Sequence, residues 1–188
     1  MNEIISSFSL VAIAEIGDKT QLLSILLAAK FRKFWPIFFG VTIATLLNHA
    51  GAAYIGKLLS AYAAGNILTY ITSAIFIVLG LWILIPDKEP DQADKEPKYG
   101  AFITSLITFF IAEMGDKTQF ATITLGAQYD NTMLIVIGTT LGMLAANIPA
   151  ILFGEKIIEV VPLKVVRITA SILFVGYGLW TISHLLLG

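Results

Sequence analysis

The string E-x-G-D-K-T-Q occurs twice, at residues 15–21 and 113–119, and each copy sits in the middle of a long apolar run. A charged side chain at the centre of a bilayer costs roughly 2.5–3.5 kcal/mol on insertion scales. Glu15, Asp18, Lys19, Glu113, Asp116 and Lys117 would therefore cost on the order of 15–20 kcal/mol if all six faced lipid. They must converge on one another, on water or on a bound ion. The membrane setting follows from composition: 57% of the chain is hydrophobic and 13% charged, against about a quarter charged in soluble domains. That balance excludes a water-soluble globule, a disordered chain and a nucleic-acid binder with a basic face, and the net charge of -1 offers no general attraction to polyanions. With no cysteine, disulfides, thiolate metal sites and iron–sulfur clusters are excluded too. Any metal must be held by oxygen or imidazole.

About 20 apolar residues cross a bilayer as a helix, and six such runs occur, at 4–29, 36–56, 67–85, 101–127, 132–153 and 165–187. They are too long and too continuously apolar for the alternating strands of a membrane barrel. Residues 1–9 carry Glu3 and no basic segment, so the first run is expected to be a retained span. Residues 87–99, with five acids, three lysines and two prolines, read as a solvated linker. Lys30, Arg32, Lys33, Lys88, Lys95, Lys98, Lys156, Lys164 and Arg167 all fall on one side of the six spans, and the opposite side has Lys57. The positive-inside rule then places both termini outside and the linker in the cytoplasm, as in a bacterial inner membrane.

The repeat extends beyond the motif. Aligning each residue from Phe8 to Ile85 with the residue 98 positions later gives 22 identities in 78 positions without a gap, among them Gly40 with Gly138, Thr42 with Thr140, Gly56 with Gly154, and Gly80-Leu81-Trp82 with Gly178-Leu179-Trp180. Three spans is an odd number, so the second copy must cross in the opposite sense. The expected fold is an all-α membrane protein of six transmembrane helices, arranged as two inverted three-helix repeats, 1–86 and 100–188, in a single transmembrane domain.

Glu and Asp at i and i+3 share a helical face. The glycine between them allows close helix approach or a local break that frees carbonyls to line a cavity. Thr20, Gln21, Thr118 and Gln119 add neutral oxygens. Four carboxylates with such neighbours suit a hard cation, Mn²⁺, Ca²⁺ or Mg²⁺, rather than copper or structural zinc. Four acids and two lysines sum to -2, which one divalent cation neutralises. Crowded carboxylates cannot all ionise without a counter-charge, so protons and the cation compete for the same oxygens. That competition is sufficient for antiport. Lys19 and Lys117 are placed to pair with Glu15 and Glu113 at i, i+4.

The duplicated motif, one copy in the first span of each repeat, resembles the family of small membrane cation/proton exchangers that includes the Golgi manganese and calcium transporter of eukaryotes, chloroplast manganese transporters and bacterial manganese exporters, within the lysine-exporter superfamily. The resemblance covers nearly the whole chain. It implies that Glu15, Asp18, Glu113 and Asp116 bind the cation and exchange protons, with Lys19, Thr20, Lys117 and Thr118 supporting them. It implies Mn²⁺ or Ca²⁺ as transported substrate, no permanently bound cofactor and no enzymatic activity. Besides the bilayer, the partners are the cation and protons. Six helices fit a monomer or a homodimer.

Other intramembrane polar groups are Asn48 and His49, with Asn147 aligned to His49. They suit hydrogen bonding to the motif or contact between helices, and His49 has an imidazole that could ligate metal. Met114 aligns with Ile16 and reads as packing. Gly138, Gly142 and Ala146 form a small-residue stripe for close helix approach, Pro149 predicts a kink, and Trp35, Trp82 and Trp180 near span ends read as interfacial anchors. His184 has no evident partner. Two competing functions remain: export of a small cationic amino acid, and an intramembrane aspartyl protease. The latter needs two aspartates sharing a proton, whereas each aspartate here has a lysine next to it and a glutamate three residues earlier.

Overall fold

The computed structural model describes residues 2–63, 65–86, 99–154 and 162–187. Among them eight helices occur: α1 Asn2–Glu15, α2 Lys19–Phe31, α3 Phe34–Tyr62, α4 Asn66–Ile83, α5 Ala101–Glu113, α6 Lys117–Gln128, α7 Thr132–Phe153 and α8 Leu163–Leu187. Four of these, α3, α4, α7 and α8, are long and apolar enough to cross a membrane. They match the second, third, fifth and sixth expected spans, although α3 runs well past its expected end at residue 56. The acidic linker lies outside the described residues, apart from Tyr99.

The first and fourth expected spans are each two shorter helices, interrupted within the motif. The cause is local. Gly17 and Gly115 have φ of +79° and +73°, the left-handed region that only glycine enters cheaply. The chain then returns to extended backbone at Asp18 and Asp116, which stand at the N-caps of α2 and α6. Aspartate is favoured there because its oxygen can accept from the first free amides of the helix, as Asp116 does from Thr118 N.

Several contacts recur at a 98-residue offset. A Cβ on Gly40 would lie 2.7 Å from the Phe102 carbonyl and 2.9 Å from Ser105. One on Gly138 would meet Ile4 and Ser7, their counterparts. Gly80 is backed by Ser171 and Val175, and Gly178 by Ser73 and Ile77. The small-residue stripe of α7 thus does what its composition predicts: Gly142 lies against the carbonyl of Phe8, where a Cβ would come within 2.6 Å. Helix α7 continues through Pro149 to Phe153.

Two apolar clusters hold the helices. One centres on Phe76 and Phe174, whose rings meet edge to face at 5.8 Å between α4 and α8. The other joins Val11, Ile37, Val41, Phe109 and Met143 across α1, α3, α5 and α7. Large apolar side chains such as Ile67, Leu81, Ile172 and Leu179 point outward, a periphery that a lipid solvent accommodates and water does not. α4 and α8 pack on each other and, as a pair, against α1 and α6.

Candidate functional site

The two breaks bring the motif carboxylates together. Glu15 and Glu113 are fully buried and Asp116 nearly so, and each offers an oxygen within 4.8 Å of those of the other two. Asp18 is also buried but does not belong to this trio. The helix ends fix each side chain: Glu15 and Glu113 are the last residues of α1 and α5, and the aspartates open the following helices.

The neutral motif residues secure the loops. Gln21 Oε1 accepts from Gly17 N at 2.8 Å, and Gln119 Oε1 accepts from Gly115 N at 2.7 Å. The glutamine oxygens expected to face a cation are therefore engaged in stabilising the breaks. Their amide nitrogens reach the neighbouring repeat: Gln21 Nε2 donates to the Ala146 carbonyl at 3.0 Å, and Gln119 Nε2 donates to Asn48 Oδ1 at 3.4 Å. Thr20 donates to Glu15 Oε2 at 2.8 Å and Thr118 to Glu113 Oε2 at 3.4 Å. Each glutamate keeps its other oxygen, Oε1, without a hydrogen-bond partner among the described residues. A buried carboxylate oxygen left in that condition is costly unless a proton or a cation takes it.

The lysines differ from the i, i+4 expectation. Lys19 Nζ pairs with Asp116 Oδ1 at 2.8 Å, across the two motifs rather than within one. The reason is the break itself, since Glu15 and Lys19 no longer belong to one continuous helix. Lys117 Nζ donates to the Ile85 carbonyl at 3.2 Å and stands 5.9 Å from the centre of the Trp82 ring. Trp82 thus contacts a motif lysine as well as standing near a helix end.

The remaining predicted residues flank the site. Asn48 Nδ2 donates to the Phe110 carbonyl, 3.1 Å away. Asn147 accepts from Ser24 Oγ at 2.7 Å and donates to the Met143 carbonyl at 3.0 Å. His49 is fully buried, and neither ring nitrogen has a hydrogen-bond partner among the described residues. It lies outside the carboxylate trio. Met114 is exposed, and His184 stacks edge-on near Trp180 at 6.1 Å. Sequence reasoning missed a second polar group, in which Gln128 donates to Thr72 Oγ1 at 2.9 Å, Tyr177 donates to Gln128 Oε1 at 3.2 Å, and the Tyr129 and Tyr177 hydroxyls meet at 2.9 Å. It ties α6 to α4 and α8. Its one signal was a tyrosine inside the last apolar run and a glutamine just past the end of the fourth.

Apolar helices long enough to cross a bilayer, with buried carboxylates gathered at two helix breaks, define a multi-pass membrane protein of the ion-transporting class. The family model "Divalent cation/proton antiporter GDT1" matches residues 3–91 and 101–186, and the chain belongs to that family. It is 46% identical over 182 residues to a Vibrio cholerae protein described as "Putative manganese exporter", covering 96% of this chain and 90% of that one. The Synechocystis GDT1-like protein sll0615 is 25% identical, with 92% and 94% covered, and the Arabidopsis GDT1-like protein 3 is 22% identical, with 92% and 68% covered. No solved structure matches the chain.

Proposed function

We propose that this chain exports Mn²⁺ from the cytoplasm in exchange for protons, with Ca²⁺ as the second-choice ion, and that Glu15, Asp18, Glu113 and Asp116 bind the cation and carry the protons. The observation that carries this reading is the buried trio of Glu15, Glu113 and Asp116 with unpartnered Oε1 atoms on both glutamates. Oxygen-only ligands favour hard cations. The 46% identical relative's description as a manganese exporter supports Mn²⁺ over Ca²⁺. Protons arriving from the acidic side neutralise the carboxylates and release the metal; their loss on the other side restores the site. Lys19 holds Asp116 until a cation displaces it. Lys19, Thr20, Gln21, Lys117, Thr118, Gln119, Asn48, His49 and Asn147 support the site from its margins.

The architecture in this reading is six spans in two inverted repeats, the half-helices α1–α2 and α5–α6 forming the first and fourth spans. The paired contacts at a 98-residue offset support it: Gly40 and Gly138, Gly80 and Gly178, Gln21 and Gln119 make corresponding contacts. Both termini lie outside a bacterial inner membrane and the acidic linker lies in the cytoplasm, as the lysine and arginine distribution requires.

Flux into proteoliposomes under an imposed pH gradient, comparing Mn²⁺, Ca²⁺, Mg²⁺ and lysine, tests the reading. Gradient-dependent Mn²⁺ movement exceeding that of the other solutes is expected. Movement of lysine alone would favour the amino-acid exporter, and divalent flux indifferent to the gradient would remove the exchange mechanism.

A further inference from the structure

The two motif lysines have matching sequence surroundings and unlike positions. Lys19 sits in the carboxylate cluster on Asp116, while Lys117 is seated on the Ile85 carbonyl beside Trp82. An offset of 98 residues turns Lys117, Trp82 and Ile85 into Lys19, Trp180 and Ser183. Trp180 on α8 thus offers a ring at the position that corresponds to Trp82, while Ser183 lies inside α8 and Ile85 lies just past the end of α4.

The helices show the same imbalance. Contacts inside the α4–α8 pair are symmetric, Gly80 on Ser171 and Val175 answering Gly178 on Ser73 and Ile77. The packing of α1 on α7 likewise answers that of α5 on α3. Between the two groups symmetry fails. The pair packs on α1 and α6, whereas among the described residues the corresponding faces, α4 on α5 and α8 on α2, make at most slight contact. Two bodies that are each symmetric, docked asymmetrically, have an equivalent alternative docking built from the same kinds of contact.

We propose that Trp82 and Trp180 are positioning residues that seat whichever motif lysine is out of the site, and that the lysines exchange places as the protein changes the side it faces. In the alternative state the α4–α8 pair docks on α5 and α2, Lys117 leaves Trp82 to bridge Asp18, and Lys19 leaves Asp116 for the face of the Trp180 ring. This deepens the antiporter reading above and rests on it. At each step one lysine acts as a tethered stand-in for the cation, so the empty site always has a counter-charge to carry it through the change.

The absence of native cysteine makes the docking directly readable. The double variant Thr72→Cys, Gln128→Cys reports the present docking through a short bifunctional thiol reagent, because the native side chains meet at 2.9 Å and the reagent replaces the reach lost with the glutamine. The counterpart double variant, Lys30→Cys with Ala170→Cys, reports the alternative. Cross-linking with that reagent in native membranes is expected to yield both linkages, 72–128 and 30–170. Lys19→Met and Trp82→Ala should each raise the yield at 30–170 relative to 72–128 several-fold, whereas Lys117→Met and Trp180→Ala should lower it. A 30–170 linkage that never forms while 72–128 forms readily would overturn the proposal, as would the two lysine variants shifting the ratio in the same direction. Mn²⁺ flux measured on the unreacted proteins separates this outcome from a failure of the antiporter reading, since cross-linking reports docking whether or not metal is carried.

Discussion

The two motif copies share a loop and differ in how their lysines are used. In each, a glycine with positive φ follows a terminal glutamate, a glutamine oxygen accepts from that glycine's amide, and a threonine donates to the glutamate. These features are common to both copies although their lysines are placed differently, so they belong to the frame of the site. Only Lys19 enters the cluster, while Lys117 is held at its margin. The difference teaches that the two copies share one frame and differ in the charge set inside it.

The strongest way to break the comparison is to neutralise one carboxylate at a time. Glu15→Gln and Glu113→Gln, and likewise Asp18→Asn and Asp116→Asn, are each expected to lower Mn²⁺/proton exchange by about 100-fold or more, corresponding to roughly 2.7 kcal/mol, with the protein still folded by size exclusion and circular dichroism. Wild-type flux in either aspartate variant would reduce the cluster to a structural role. Flux retained in one copy alone would show the carboxylates to be as unequal as the lysines.

Next in size is the loop glycine. Alanine in the left-handed region costs about 1–2 kcal/mol at either position. At Gly17 the new methyl would also come within 2.5 Å of Leu163 Cδ2, whereas at Gly115 nothing lies within 4 Å. Thermal unfolding in detergent should therefore show Gly17→Ala to be the more destabilised of the two. Equal losses would mean that Leu163 yields freely.

Smaller effects are expected at the threonines. The Thr20 bond to Glu15 is 2.8 Å and the Thr118 bond to Glu113 is 3.4 Å. Hydrogen bonds to charged groups contribute about 1.5–3 kcal/mol and weaken with distance, so Thr20→Val should weaken apparent Mn²⁺ affinity more than Thr118→Val. Titrating initial flux against Mn²⁺ in both variants decides it. The smallest change is expected for His49→Asn, which gives the first repeat the residue that the second already uses. Transport within about twofold of the parent, under 0.5 kcal/mol, is the expected result. A large loss would give the imidazole a part in transport that its place outside the trio does not suggest.

Much of this was readable from sequence because lipid imposes a length and an apolarity that α3, α4, α7 and α8 meet directly. The gathering of Glu15, Glu113 and Asp116 was readable too, since isolated charges at that depth are too costly to face lipid. The lysine pairing was not. Spacing rules for i and i+4 assume an unbroken helix, and the turn at residues 16–18 breaks it, which sends Lys19 to Asp116 instead of Glu15. The glutamines are expected to add neutral oxygens around the cation because side-chain oxygens look alike in a sequence; only the loop's conformation reveals that the Gly17 and Gly115 amides take them first. The Gln128–Tyr177–Thr72 group joins three helices through residues with no periodic spacing, and the aligned positions Lys30, Leu79 and Ala170 offer no matching pattern.

The breaks at Gly17 and Gly115 also have an electrostatic consequence. Each sets the carboxyl end of one helix beside the amino end of the next, and a helix end carries about half an elementary charge, negative at the carboxyl end and positive at the amino end. The four ends around the cluster nearly cancel, so the main chain adds almost no net charge to the site. What it adds is polarity with a direction: positive poles beside Asp18 and Asp116, negative poles beside Glu15 and Glu113. An uninterrupted helix through the same residues would have placed those poles far away, at the membrane surfaces.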